Sequence, residues 1–197
     1  MPPRPRPSDS RSSGARPAGA RPSDTKQRIL EVARELFVQQ GVQRTSLQDI
    51  AVRLGITKPA LYYHFASREE LVRSIVQPIL DEEEAFLAGQ EALAEVEPRA
   101  LLEGYFDFHY RHRKEMVLML SELTTLADLG LIGRVMDWRG RLAKLLHGPE
   151  PTLEQATRAA IAIGGLQDCT IQFPGVPMDE LRRAAVDGAC AALGIEP

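Results

Sequence analysis

The sequence predicts an all-α fold of about nine helices: an N-terminal three-helix head and a larger helical body. Three observations predict it. Apolar residues recur at helical spacing from about residue 24 to residue 193, broken at proline and glycine clusters. No strand–helix–strand rhythm and no internal repeat appears. The stretch Thr45 to Phe65, TSLQDIAVRLGITKPALYYHF, divides into two short helical halves joined at a glycine, the pattern of a helix-turn-helix.

Taking the chain in order, residues 1–22 carry almost no apolar side chain except alanine, so they cannot offset their chain entropy by burial, and disorder is expected. Their five arginines against one aspartate can reach phosphates as an N-terminal arm does, or be an unselected extension. Helix 1 is expected from about Asp24 to Gln40. Ile29, Leu30, Ala33, Leu36 and Phe37 form its apolar stripe, and Gly41 ends it. Ser46 with Asp49 three residues on has the pattern of a capping box, and Ile50, Ala51 and Leu54 give helix 2 one apolar face. Gly55 suits a left-handed turn, Thr57 can cap helix 3, and Pro59 is tolerated in its first turn. Leu61 and Phe65 point to the core, which leaves Lys58, Ala60, Tyr62, Tyr63 and His64 outside.

Each outer residue has a physical task against a DNA duplex. Ser46, with Thr45 beside it, offers a hydroxyl at a helix start, and Thr57 does the same one helix later. Lys58, the one cation on this surface, can reach a guanine edge or backbone phosphate, and Ala60 can touch a thymine methyl. Tyr62 and Tyr63 combine a flat ring with a hydroxyl donor, and His64 can donate to phosphate.

The elements ILEVARELFVQQG, TSLQDIAVRLGIT, PALYYHF and SREEL, in this order and spacing, resemble the tetracycline-repressor (TetR) family of bacterial regulators. The resemblance implies that the outer residues above contact DNA and that Arg68, after the signature, binds phosphate. It also implies a homodimer with an effector pocket in the helical body, joined to the head by helix 4. That helix starts near Ser67 and carries Pro78 inside it, where a bend is expected.

Beyond Pro98, helices are expected near 99–112, 114–127, 131–147, 152–173 and 178–193. Leu101, Tyr105, Phe108 and His112 share one stripe of the fifth helix, and Leu102, Phe106 and His109 the next, so protein surrounds it. Apolar residues of the following helices (Met116, Met119, Leu120, Leu123, Val135, Met136, Trp138 and Leu142), rich in methionine, are either core or an adaptable pocket lining. Gln167 stands between Ile163 and Ile171 on an apolar face and needs a partner there, either within the core or on a ligand. With the resemblance, the expected effector set is Tyr105, Phe106, His109, Met116, Met119, Trp138, Gln167 and Ile171. Small residues of the last two helices, from Ala159 to Gly165 and Ala184 to Ala192, permit close helix approach in a two-fold interface or in a monomer's core.

Composition bounds the rest. The net charge of −3 divides into +6 over residues 1–75 (13 Lys/Arg, 7 Asp/Glu) and −9 over residues 76–197 (11 and 20), a basic front for a polyanion and an acidic back. Neither an apolar run of about 18 residues nor a signal-peptide pattern is present, so a cytoplasmic location and no membrane partner are expected. Cys169 and Cys190 make no disulfide framework. No phosphate-cradling loop, nucleophile elbow or paired-cysteine site occurs; His109 and His112 lack a third ligand, so no enzyme activity, metal or cofactor is expected. The layout is a tail at 1–22, a DNA-binding domain at 23–72 and an effector-binding and dimerisation domain at 73–197. The expected function is a ligand-responsive regulator, a repressor of a pseudo-palindromic double-stranded DNA operator released by an unknown small molecule. The alternative is a helical small-molecule-binding or partner-switched regulator whose core holds no effector pocket.

Overall fold

The structure, a computed structural model, describes residues 22–121, 127 and 130–195. Among them are nine helices and no strand: α1 (Pro22–Gln40), α2 (Leu47–Leu54), α3 (Lys58–His64), α4 (Arg68–Glu91), α5 (Pro98–Arg111), α6 (Arg113–Ser121), α7 (Leu131–His147), α8 (Leu153–Gln172) and α9 (Met178–Leu193). The expectations for the tail at 1–21, for Leu123 and for the end of the sixth helix lie outside the described residues.

The head closes as its stripes require. Ile29, Ala33 and Phe37 of α1 meet Ile50 and Ala51 of α2, with Leu61 and Phe65 from the α3 segment, all buried. Full burial of a Leu or Phe contributes about 1.5–3 kcal/mol, so a few such side chains hold so small a unit together. Leu71, Val72 and Ile75 of α4 join the same core and carry the helix from head to body.

Helix α4 runs unbroken through Pro78, which sits on its exposed side; the carbonyl that proline leaves without a donor can be hydrated there. In the body, α8 packs along α9, α5 lies against both, and α7 bridges α8 and α4. Gly104 of α5 permits a close approach to α4, since a Cβ there would lie 2.9 Å from the Phe86 ring. Across the α4–α7 seam, Arg141 bonds Glu84 and Glu91 at 2.8–2.9 Å, and the Trp138 indole donates to Glu84 at 2.9 Å.

The small residues fall on two sides. Ala159, Ala162 and Ala189 fill the core, whereas Ala160, Gly165, Ala184, Gly188 and Ala191 are exposed. Ile161 is exposed beside them, and the added Cβ of Gly164, Gly165 or Gly188 would meet nothing within 4 Å.

Candidate functional site

Local chemistry fixes the reading surface. Ser46 Oγ accepts from the Asp49 backbone N–H at 3.1 Å, while the Asp49 carboxylate accepts from the Ser46 N–H at 2.8 Å and its hydroxyl at 2.7 Å. These bonds hold the Asp49 carboxyl below the usual range, the backbone bond from Ser46 most strongly. Gly55 turns the chain at φ 69°, and its neighbour Ile56 donates to Ala51 O at 3.0 Å. Thr57 then caps α3 through the Ala60 N–H at 3.4 Å. Helix α3 therefore leaves α2 in a set direction, with Leu61 and Phe65 inward and Thr57, Lys58, Ala60, Tyr62 and Tyr63 outward.

Tyr63 is 83 % exposed and meets the half-buried His64 edge to face at 5.2 Å. The Lys58 ammonium lies 5.6 Å from the centre of the Tyr62 ring. Ring and cation thus occupy one exposed face of α3. Lys26 and Arg28 add exposed cations near the start of α1.

Two residues of the expected DNA-binding set are placed differently. Thr45 is 1 % exposed; its hydroxyl donates to Gly41 O at 2.8 Å and accepts from Gln40 at 3.2 Å, so it closes the α1–α2 turn. Arg68 donates to the carbonyls of Val42 and Gln43 at 3.3 and 3.2 Å and to the Gln43 side chain at 3.1 Å. Its guanidinium ties the start of α4 to the loop before α2 instead of standing free for phosphate.

The body contains a cavity of about 200 Å³ between α4, α5, α6, α7 and α8. Tyr105, His109, Met116, Met119, Trp138 and Gln167 of the expected effector set line it. Phe106 and Ile171 do not. Phe106 is fully buried and stacks on Tyr110 at 5.8 Å, while Ile171 is half-buried near the end of α8. Leu120 and Met136, expected inside, are exposed along the cavity's lining with Ile132.

Two polar residues that the sequence did not single out also line the cavity, Glu83 and Arg139. Glu83 is 6 % exposed, and burial pushes its carboxyl up to about 8 against the opposing pull of Arg139 and Arg134. Burial likewise pushes His109 down to about 3, with Arg139 and His112 adding to it, and raises the Tyr105 phenol. Glu83 Oε1 and His109 Nε2 stand 3.9 Å apart. At neutral pH this is a contact between an uncharged carboxyl and an uncharged imidazole, because burial disfavours both charges. Arg139 Nη2 donates to Gln167 Oε1 at 3.0 Å, which gives the expected amide its partner within the chain. Both ring nitrogens of His109 and the Nε of Arg139 are buried without a hydrogen-bond partner among the described residues. Glu83 was detectable: it is four residues after Ile79 and four before Leu87, on the buried stripe of α4, but the run DEEE around it reads as a solvated face.

Residues 29–75 match the family described as bacterial regulatory proteins, tetR family. In this segment, the head, the chain is similar to the TetR family. TtgR, a transcriptional regulator of Pseudomonas putida, is 35 % identical over 75 residues, covering 38 % of this chain and 36 % of TtgR. AcrR of Shigella flexneri is 48 % identical over 52 residues, covering 26 % of this chain and 24 % of AcrR. The chain thus matches between about a quarter and a little over a third of the length of these relatives, and the TetR-family likeness in sequence is that of the head. Solved structures extend the likeness of fold to the body. The TetR-family regulator PfmR of Thermus thermophilus superposes with a TM-score of 0.69 at 26 % identity, covering 85 % of this chain and 98 % of PfmR. KstR2 of Mycobacterium tuberculosis gives 0.70 at 23 % identity, covering 86 % and 93 %, a likeness of fold alone. The matched segment contains α2, α3 and the Arg68 clamp, and it ends inside α4 before Glu83.

Proposed function

We propose that the protein is a ligand-responsive transcriptional regulator of the cytoplasm, a homodimeric repressor of a pseudo-palindromic operator. The observation that carries this reading is one continuous helix. Through Arg68, α4 grips the loop that precedes the reading helices, and through Glu83 it lines the cavity. A small molecule that favours one pose of α4 then changes where the head sits. A coupling of about 1–3 kcal/mol corresponds to ~5–150-fold in DNA affinity. The exposed small-residue faces of α8 and α9 suit a two-fold helix interface, which sets the heads for half-sites about one helical turn, ~35 Å, apart.

DNA contact is assigned to Ser46, Thr57, Lys58, Ala60, Tyr62, Tyr63 and His64, with Thr45 and Arg68 in supporting positions. Among the described residues no helix is long and apolar enough to cross a membrane. The alternative without an effector pocket is disfavoured by the cavity and its polar lining. Anisotropy titrations on the DNA flanking its own gene test the reading. Lys58→Ala with Tyr63→Ala should lower affinity at least tenfold without changing the helical circular-dichroism spectrum, and Lys58→Ala alone should reduce the salt slope by about one. Wild-type protein that ignores every duplex at low ionic strength would refute it.

A further inference from the structure

The polar wall of the cavity narrows the chemistry of its occupant. His109 is 2 % exposed and, among the described residues, neither of its ring nitrogens nor the buried Arg139 Nε has a hydrogen-bond partner. Gln167 uses its oxygen to accept from Arg139, which leaves its amide N–H groups as donors. Tyr105 lines the same cavity, with its ring 4.2 Å from that of His109. Guanidinium, imidazole, amide and phenol therefore present donors, and Arg139 is the lasting charge among them. Met116, Met119, Leu131, Val135 and Trp138 line the cavity as well and give it an apolar and adaptable surface. The volume of about 200 Å³ is below the ~300–1,000 Å³ of drug-sized sites, so the occupant is small.

We propose that this cavity selects small amphipathic organic acids, with a carboxylate received by Arg139, His109 and Gln167 and a compact apolar body against the methionines and Trp138. The inference rests on the reading of the cavity as the effector site. A carboxylate satisfies the unpaired donors and pairs with the guanidinium, the strongest contact available to either. An alcohol of the same body would fill the apolar part and leave Arg139 without a counter-charge. An amine would bring a cation beside Arg139 and offer donors to a wall already rich in them. Among the described residues Glu83 is the one carboxyl that lines the cavity; kept neutral by burial, it adds a donor instead of repelling the ligand.

Trp138 is the only tryptophan of the chain, so its emission reports the cavity directly. Full-length protein is titrated at neutral pH with two matched trios: octanoate, octan-1-ol and octylamine, then phenylacetate, 2-phenylethanol and 2-phenylethylamine. The acid of each trio should bind at least tenfold more tightly than its alcohol, and the amine most weakly. Arg139→Gln should lower acid affinity at least tenfold and leave the alcohol within about twofold. Glu83→Gln, which keeps a donor at that position, should retain acid binding; should Arg139→Gln fail to fold, this variant still discriminates, since a site built for amines would lose them. Amine or alcohol binding equal to or tighter than acid overturns the assignment and leaves the effector site standing. Silence from all six ligands in both emission and calorimetry overturns it and removes the cavity from the proposed function, while DNA binding is judged separately.

Discussion

Replacing Glu83 by glutamine should make the protein less sensitive to alkali, and the size of the effect follows from burial. A free glutamate carboxyl has an ordinary value of 4.5, whereas in the fold burial raises it to about 8. The folded chain then holds a proton that the unfolded chain releases, so stability is fullest below 4.5 and is lost as pH rises toward 8. Between about pH 6 and pH 8 the loss amounts to about 2 kcal/mol, at ~1.4 kcal/mol per pH unit with rounding near the upper end. His109 runs the other way: lowered to about 3 from 6.5, it adds stability as pH rises through that window and little above it. Urea unfolding at about pH 6, 7 and 8, at fixed protein concentration because association would shift the midpoint, gives the slope for both proteins. The wild type should lose about 2 kcal/mol more than Glu83→Gln over this range. Equal slopes would mean that Glu83 is ionised in the fold, and the description of a neutral cavity wall would fail.

Two further substitutions probe the frame. Gly55→Ala forces an L side chain to φ 69° with no atom within 4 Å of the new Cβ, so the cost of about 1–2 kcal/mol is backbone strain alone; calorimetric melting should show it, and Gly55→Asn should recover part. Arg141→Ala removes the bridges to Glu84 and Glu91 across the α4–α7 seam. Both carboxylates are more than a third exposed, so solvent screening limits the loss to about 1 kcal/mol in urea unfolding, and it should shrink in high salt.

The elements most legible in the sequence are those with both a cap and a period. Ser46 with Asp49, Gly55 and Thr57 fix α2, the turn and α3 within a few residues, and apolar spacing fixes which sides of α1 and α4 are buried. Side-chain destinations that depend on a distant loop were not legible. Arg68 bonds carbonyls 25 and 26 residues earlier, and nothing in SREEL announces them. Thr45 looks like a second hydroxyl beside Ser46, yet the turn after Gly41 draws it inward. Phe106 and Tyr105 are adjacent on α5, and only the packing of that helix decides that one lines the cavity while the other stacks elsewhere. Glu83 escaped because it stands in the charged run DEEE, and charge in a run ordinarily means water; Arg139, between Trp138 and Gly140, escaped because its partner Gln167 lies 28 residues further on.

The Arg68 clamp bears on how any signal reaches the duplex. Three bonds fasten the opening turn of α4 to the strand of chain that feeds the reading unit, so the two swing together as a single stiff piece. On the proposed mechanism, ligand occupancy then has no need to reshape Lys58, Tyr62 or Tyr63 relative to one another. It has only to change the angle at which an unaltered key is offered to the lock.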